Sequence, residues 1–162
     1  MRPMTHSDIL RVAEIHTFAR RMAFKDILSD KHLFVETNVF ERAGYFEKDL
    51  ELGERKSFVY DEGFVKGFLT LQPCENSCLQ ILRFYIDPVF QSSGIGSKMM
   101  EFCNQKAAEG NFEKICLWVL EQNLTAIDFY KTKGFMASGE RKSRKYGTAE
   151  ATQVQYLKDV KK

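Results

Sequence analysis

Gln91-Ser92-Ser93-Gly94-Ile95-Gly96-Ser97 is the stretch in which the backbone itself has the means to do chemistry. Gly94 and Gly96 let the main chain turn tightly and approach a ligand with no Cβ in the way. Ile95, Met99, Phe102, Cys103 and Ala107 recur on one face, so a helix is expected to start at Ile95. The N–H groups of residues 92 to 97 would then converge on an anion at the helix N-terminus, with the Ser97 hydroxyl beside them. Such a terminus is worth about 0.3–1 kcal/mol to an exposed anion. The same residues would also serve as a plain strand-to-helix turn, so the loop alone does not decide. Two familiar phosphate loops fail by residue. Met99 stands where a dinucleotide fingerprint needs its third glycine. Gly96-Ser97-Lys98 lacks the order and gap of a nucleotide P-loop.

The elements around this loop follow from periodicity. Met1 to Met4 reads as a short edge strand. Thr5 and Asp8 form a capping-box pattern ahead of a helix over residues 6 to 22, with an apolar stripe of Ile9, Val12, Ile15, Ala19 and Met22. His16 lies beside that stripe, where a packed helix residue is the commoner role. Residues 25 to 53 suggest one or two helices broken near Gly44. Ser57 to Tyr60 and Phe64 to Leu71 read as a hairpin, and Leu79 to Ile86 as a third antiparallel strand after a turn at Pro73 to Ser77. The helix from Ile95 closes at Gly110-Asn111, and Lys114 to Leu120 is an apolar strand. Strand, helix, strand implies a right-handed parallel crossover. Asn123 can cap a helix through Tyr130, which Gly134 closes. Phe135 to Ser138 and Ala151 to Leu157 read as a last strand pair, with the basic run of residues 140 to 147 as a solvated hairpin or a flap between them.

Bulk properties narrow the function classes. The 162 residues suit one domain, residues 1–162, and 44% hydrophobic with 28% charged residues excludes disorder. A net charge of +2 offers no global field for nucleic acid, and the basic run has only Tyr146 beside it for stacking, so no nucleic-acid partner is expected. No apolar run reaches membrane-span length and the start lacks a signal peptide's apolar stretch, so no membrane partner is expected and the location expected is cytoplasmic. Cys74, Cys78, Cys103 and Cys116 show no metal-site spacing; packed, reduced thiols are expected, with a Cys74–Cys78 disulfide as the alternative. The acidic residues Glu41, Glu47, Asp49, Glu51 and Glu54 read as a solvated helix face, or else as a rim attracting a cationic acceptor.

Two motifs together carry a resemblance. Ile86-Asp87-Pro88 followed by Gln91 to Gly96 resembles the acetyl-CoA-binding motif of the GNAT acetyltransferases. Leu117 to Asn123, then Ala126, Phe129-Tyr130 and Gly134-Phe135, resembles the family's second element at its usual distance. The order of elements agrees over essentially the whole chain, while residues 1 to 54 match only loosely. The resemblance implies a mixed α/β fold: a mostly antiparallel sheet of about 6–7 strands, about 4 flanking helices, and a splayed parallel strand pair.

It also implies a function, acetyl transfer from acetyl-CoA to a primary amine by direct attack, with no metal. The acceptor would be a small amine, a polyamine or a peptide amine; the other class to weigh is an acyl-CoA sensor without turnover. Relatives are often dimers, so a homodimer is among the expected states. The implied cofactor-binding residues are Phe84, Tyr85 and Ile86 for pantetheine and the thioester carbonyl, Gln91, Ser92, Ser93, Gly94, Ile95, Gly96 and Ser97 for pyrophosphate, and Asn123, Tyr130 and Lys133. Tyr130 is also the implied catalytic residue, facing the sulfur. A phenol near pKa ~10 protonates a thiolate near ~8.5 only uphill, by roughly 2 kcal/mol, so a hydrogen bond to the sulfur is the alternative. The glutamate that some relatives place on the fifth strand is replaced by Trp118, Glu121 lies at the strand end, and no base can be assigned.

Overall fold

The computed structural model describes residues 1–160. Seven strands form one sheet: β1 (Arg2–Pro3), β2 (Lys56–Asp61), β3 (Val65–Cys74), β4 (Cys78–Ile86), β5 (Lys114–Leu120), β6 (Met136–Tyr146) and β7 (Ala149–Asp159). Their order is β1-β2-β3-β4-β5-β7-β6, antiparallel except for the β4–β5 pair. The α-helices are α1 (Ile9–Phe24), α2 (Val39–Leu52), α3 (Ile95–Glu109) and α4 (Leu124–Thr132). Alternation along β4 and β5 feeds both faces. Leu79, Ile81, Ile115, Leu117 and Val119 pack with Met99, Cys103, Ile127 and Tyr130 on the α3–α4 side. Val59, Val65 and Phe68 pack with Ile15 and Phe46 of α1 and α2 on the other. Beyond them, Phe24, Leu28 and Leu33 meet Leu120 and Tyr146.

The feature that positions the site is a mismatch in pairing. Cys78–Ile81 of β4 pairs in parallel with Lys114–Leu117 of β5, and there the pairing stops. At that point β4 carries an extra residue against β3: Ile81 faces Leu71, Arg83 faces Thr70, and Leu82 is left between them. A bulge of this kind bends the strand and increases its twist. Phe84 to Ile86 therefore pair with β3 on one side and with no strand on the other, while Trp118–Leu120 pair only with β7. The expected splayed parallel pair is present, and its splay begins at Leu82.

Several boundaries differ from the sequence expectations. The first helix is a 3-10 turn (His6–Asp8) leading into α1, which runs on to Phe24; Met22 is exposed and belongs to no stripe. α2 does not break at Gly44. An exposed mid-helix glycine costs only about 1 kcal/mol, and the stop is Gly53, left-handed at φ 67°. Pro73 lies within β3, so the turn is shorter, with Asn76 and Ser77 at positive φ. The end of α3 falls at Gly110-Asn111 as expected, with Asn111 taking the left-handed conformation (φ 54°). The largest correction concerns residues 140 to 147: through Tyr146 they are strand, paired with β7, and the turn is Gly147-Thr148. β6 is an edge strand with nearly every residue exposed, so its side chains carry no apolar alternation to read.

Candidate active site

The glycine turn opens a helix at Ile95, as its residues imply. Asp87 accepts a hydrogen bond from the Val89 N–H at 3.0 Å and holds a 3-10 turn, Pro88–Phe90. Ser93 Oγ donates to the Phe90 carbonyl at 2.6 Å. Ser92 and Gly94 have φ of 62° and 83°, a conformation that costs Gly94 nothing and that Ser92 adopts against preference. Helical pairing begins with the Ser97 and Lys98 N–H groups on the Gly94 carbonyl. The N–H groups of residues 92 to 96 have no partner among the described residues. At Gly96 the reason for glycine is packing: a Cβ there would lie 3.1 Å from the Phe129 ring and 3.3 Å from Ile86 Cδ1. The N-terminus of α3 thus sits against α4 and the free end of β4. Lys133 reaches the same place, its Nζ donating to Ser97 Oγ at 2.8 Å. Gln91 is exposed beside the loop.

Tyr130 comes from α4 into the same gap. Its ring packs edge-on to Phe84, Phe129 and Phe135, at centroid distances of 6.3, 5.5 and 5.7 Å. Burial pushes its phenol above the usual range, which makes it a poorer acid and a persistent hydrogen-bond donor. The hydroxyl makes no hydrogen bond to the described residues. Asn123 caps α4, its Oδ1 accepting from the Ala126 N–H at 3.3 Å and leaving the amide NH2 free.

The opposite wall is formed by α1 and α2. His16 is fully enclosed, its ring 4.8 Å from that of Tyr85 and 5.7 Å from that of Phe46. Burial, with Arg20, Arg42 and Arg83 nearby, drives its pKa well below the ordinary value, so it is neutral, and its Nδ1 has no partner. Arg20 lies over the rings of Phe24 and Tyr146, and Tyr146 accepts a hydrogen bond from Gln153 at 3.1 Å. Sequence reasoning missed this cluster. Its members come from α1, α2, β4, β6 and β7, and no local pattern links them. Of the acidic residues, Asp49 is bound by Arg55 and Arg83, while Glu41, Glu47, Glu51 and Glu54 are exposed, as on a solvated helix face. Glu121 is paired with Arg141 at 2.7 Å.

All four cysteines are free. Cys74 and Cys78 face each other across the hairpin, and Cys74 Sγ lies 3.7 Å from Cys116 Sγ.

Known proteins share the overall arrangement of this chain. The family model described as Acetyltransferase (GNAT) family matches residues 21–135. The chain belongs to the GNAT acetyltransferase family. Among curated GNAT relatives, a spermine/spermidine N(1)-acetyltransferase of Bacillus subtilis (strain 168) is 32% identical over 90 residues, covering 51% of this chain and 59% of that protein. An uncharacterised N-acetyltransferase of Lactobacillus delbrueckii subsp. lactis is 30% identical over 90 residues, covering 51% and 52%. The chain thus spans a little over half the length of these relatives. Among solved structures, the PaiA N-acetyltransferase of Thermoplasma acidophilum in complex with coenzyme A superposes with a TM-score of 0.78 at 15% identity, over 98% of this chain and 96% of that one. Ard1 of Thermoplasma volcanium gives a TM-score of 0.74 at 22% identity, over 99% and 97%. These likenesses confirm the GNAT fold, and no helix among the described residues is long and apolar enough to cross a membrane.

Proposed function

We propose that this protein transfers the acetyl group of acetyl-CoA to an amine by direct attack, residues 1–162 acting as one unit. The observation that carries the reading is the unpaired edge of Phe84–Ile86, flanked by the free N–H groups of residues 92 to 96. An extended amide-bearing arm can pair with that edge as an added strand, and a phosphate can rest on the loop. Gln91, Ser92, Ser93, Gly94, Ile95, Gly96 and Ser97 would cradle the pyrophosphate, with Lys133 adding positive charge at Ser97. Phe84, Tyr85 and Ile86 would hold the pantetheine amides with main-chain groups and orient the thioester carbonyl. The free NH2 of Asn123 would steady the arm from α4.

The amine nitrogen attacks the carbonyl carbon, a C–N bond forms, the C–S bond breaks, and the electron pair leaves on sulfur. Fixed backbone donors stabilise the negative oxygen that develops between these events. Tyr130 donates a hydrogen bond to the departing sulfur; its raised pKa favours that role over full proton donation. The proton lost by the new ammonium then neutralises the thiolate. Glu121 is engaged by Arg141, and burial beside three arginines makes His16 a weak proton acceptor, so neither is assigned as base. Free thiols and a cytosolic substrate suit a cytoplasmic location.

The test is thiol release from acetyl-CoA with a panel of amines, including spermidine because of the B. subtilis relative. Release that depends on an amine supports transfer. Binding of acetyl-CoA with no release for any amine, peptide or polyamine would favour a sensor instead.

A further inference from the structure

We propose that the acceptor is an amine that also bears a carboxylate, held by Arg20 and Arg42 over the gap between β4 and β5. This rests on the acetyl-transfer reading above. Nine arginines occur in the chain. Six are engaged by a carboxylate or a main-chain carbonyl: Arg2, Arg11, Arg21, Arg55, Arg83 and Arg141. The other three, Arg20, Arg42 and Arg144, have no such partner among the described residues. They are not scattered. Arg20 and Arg144 both lie over the Tyr146 ring, at 5.8 and 5.7 Å, and Arg20 and Arg42 both act on buried His16. Aromatic faces steady them, Tyr45 under Arg42 and Phe24 under Arg20, without neutralising their charge.

Their place in the fold makes this a binding wall. α1 runs from the β3–β4 end, where Arg11 meets Val65 and Asp87, to the end of β5, where Phe24 meets Leu120. It therefore crosses the splay, with His16 over Tyr85 and Arg20 one turn further on. Nε of Arg20 and of Arg42, Nδ1 of His16 and Oε1 of Gln153 are buried with no partner. Orphaned buried polar atoms are costly, and the two guanidinium Nε atoms among them are donors that an anionic ligand would complete. On β6, Lys142 lies over Trp118 at 3.9 Å and extends the cationic wall. Two or more unpaired guanidiniums match an anionic oxygen pair and repel a polycation. The same field disfavours the ammonium form of the acceptor amine and so favours the neutral nucleophile.

The full chain is assayed by thiol release with matched amines: free amino acids, their amides, an aminoalkyl phosphonate and spermidine. Carboxylated members are expected to exceed their amides in kcat/KM by at least about tenfold. Arg20→Gln and Arg42→Gln should each raise acceptor KM about 10–100-fold, erase the preference, and leave acetyl-CoA KM within about twofold. Equal or faster turnover of amides, spermidine or the phosphonate overturns the inference and leaves acetyl transfer standing. No release together with no stabilisation by acetyl-CoA overturns the transfer reading itself. If acetyl-CoA binds and nothing is released, calorimetry on the CoA-loaded protein decides: binding of amino acids abolished by Arg20→Gln supports the site, and no binding refutes it.

A separate observation carries a second inference: the geometry points to a zinc site formed by Cys74, Cys78 and Cys116. Their Sγ atoms all lie within 4.8 Å of one another. A Zn–S bond of about 2.3 Å places sulfurs about 3.8 Å apart in a tetrahedral site, and Cys74 and Cys116 stand at 3.7 Å. Cys74 opposes Cys78 in the β3–β4 pairing, and Cys116 opposes Gln80 on β5, so one ion would staple three strands where the parallel pair is closed. Water would complete the coordination, and the thiol protons pass to solvent on binding. Cys78 is roughly 20 Å along β4 from Phe84, too far to join the acyl chemistry. Titration with Co2+ should give a thiolate-to-metal charge-transfer band, native mass spectrometry one Zn2+ per chain, and Zn2+ a higher Tm. Cys116→Ser and Cys74→Ser should each abolish all three. Absence of the band and of bound metal, or a disulfide among these three cysteines in the isolated protein, refutes the site.

Discussion

At Tyr130 and Gly96 single side-chain choices would set the donor half of the proposed site. Tyr130→Phe removes one hydroxyl from a pocket of three phenylalanine rings and leaves the packing intact. It is expected to lower kcat about tenfold or more with acetyl-CoA affinity nearly unchanged, which steady-state kinetics with calorimetry will read; a loss confined to affinity would place the hydroxyl elsewhere. Gly96→Ala must move the Phe129 ring or Ile86 by a few tenths of an ångström. Because that contact seats the anion loop against β4, acetyl-CoA affinity is expected to fall by about 1 kcal/mol, roughly fivefold, while the far-ultraviolet circular dichroism stays as it is. Both residues were legible in the sequence, since the motif spacing alone puts a glycine and a tyrosine there.

At the scale of elements, α1 and α2 make opposite predictions about exposed and tied positions. Gly44 lies inside α2, and a Cβ there would meet nothing within 4 Å. Gly44→Ala should therefore stabilise the protein by about 0.4–1 kcal/mol, read as a higher urea midpoint at constant m. The start of α1 depends on Asp8, which accepts from Arg2 at 2.7 and 2.8 Å and from the Thr5 N–H at 2.9 Å. The Arg2 hydrogen bonds hold the Asp8 carboxyl down at about 2, against an ordinary 3.8. A depressed folded pKa gives stability that is complete above the unfolded value and lost as pH falls through the folded one. Chemical denaturation should show that loss between about pH 4 and pH 2. Asp8→Asn should be less stable than wild type at neutral pH and should flatten the dependence in that window. The capping pattern was visible in Thr5 and Asp8, but the second half of the device, Arg2 bridging Asp8 to Asp61 of β2, needs the β1–β2 pairing.

For the whole molecule, ligand and fold are linked through the splay. Acetyl-CoA at 100 times its Kd should add about 2.7 kcal/mol, a Tm rise of roughly 5–10 °C for a chain of this size. No rise at millimolar ligand would refute the donor assignment. The two halves of the protein differ in how far the sequence alone reaches. It determined the family, the order of elements and the glycine turn that opens α3, because those depend on contacts between near neighbours: a glycine pair, a helix cap, an apolar stripe. It misjudged β6, since an edge strand with both faces wet needs no apolar alternation, and it read α2 as broken at a glycine that the helix tolerates. What tertiary structure alone decided is the acceptor wall. Arg20, Arg42 and Arg144 look like any surface arginines in sequence; they differ only in that folding gives six other arginines a carboxylate or carbonyl partner and gives these three none among the described residues. The three thiols are likewise spread over more than 40 positions, and only strand register brings them together. Pairing and its absence are properties of long-range register, fixed by the bulge at Leu82 and the crossing of α1, and so they appear only once the chain has folded.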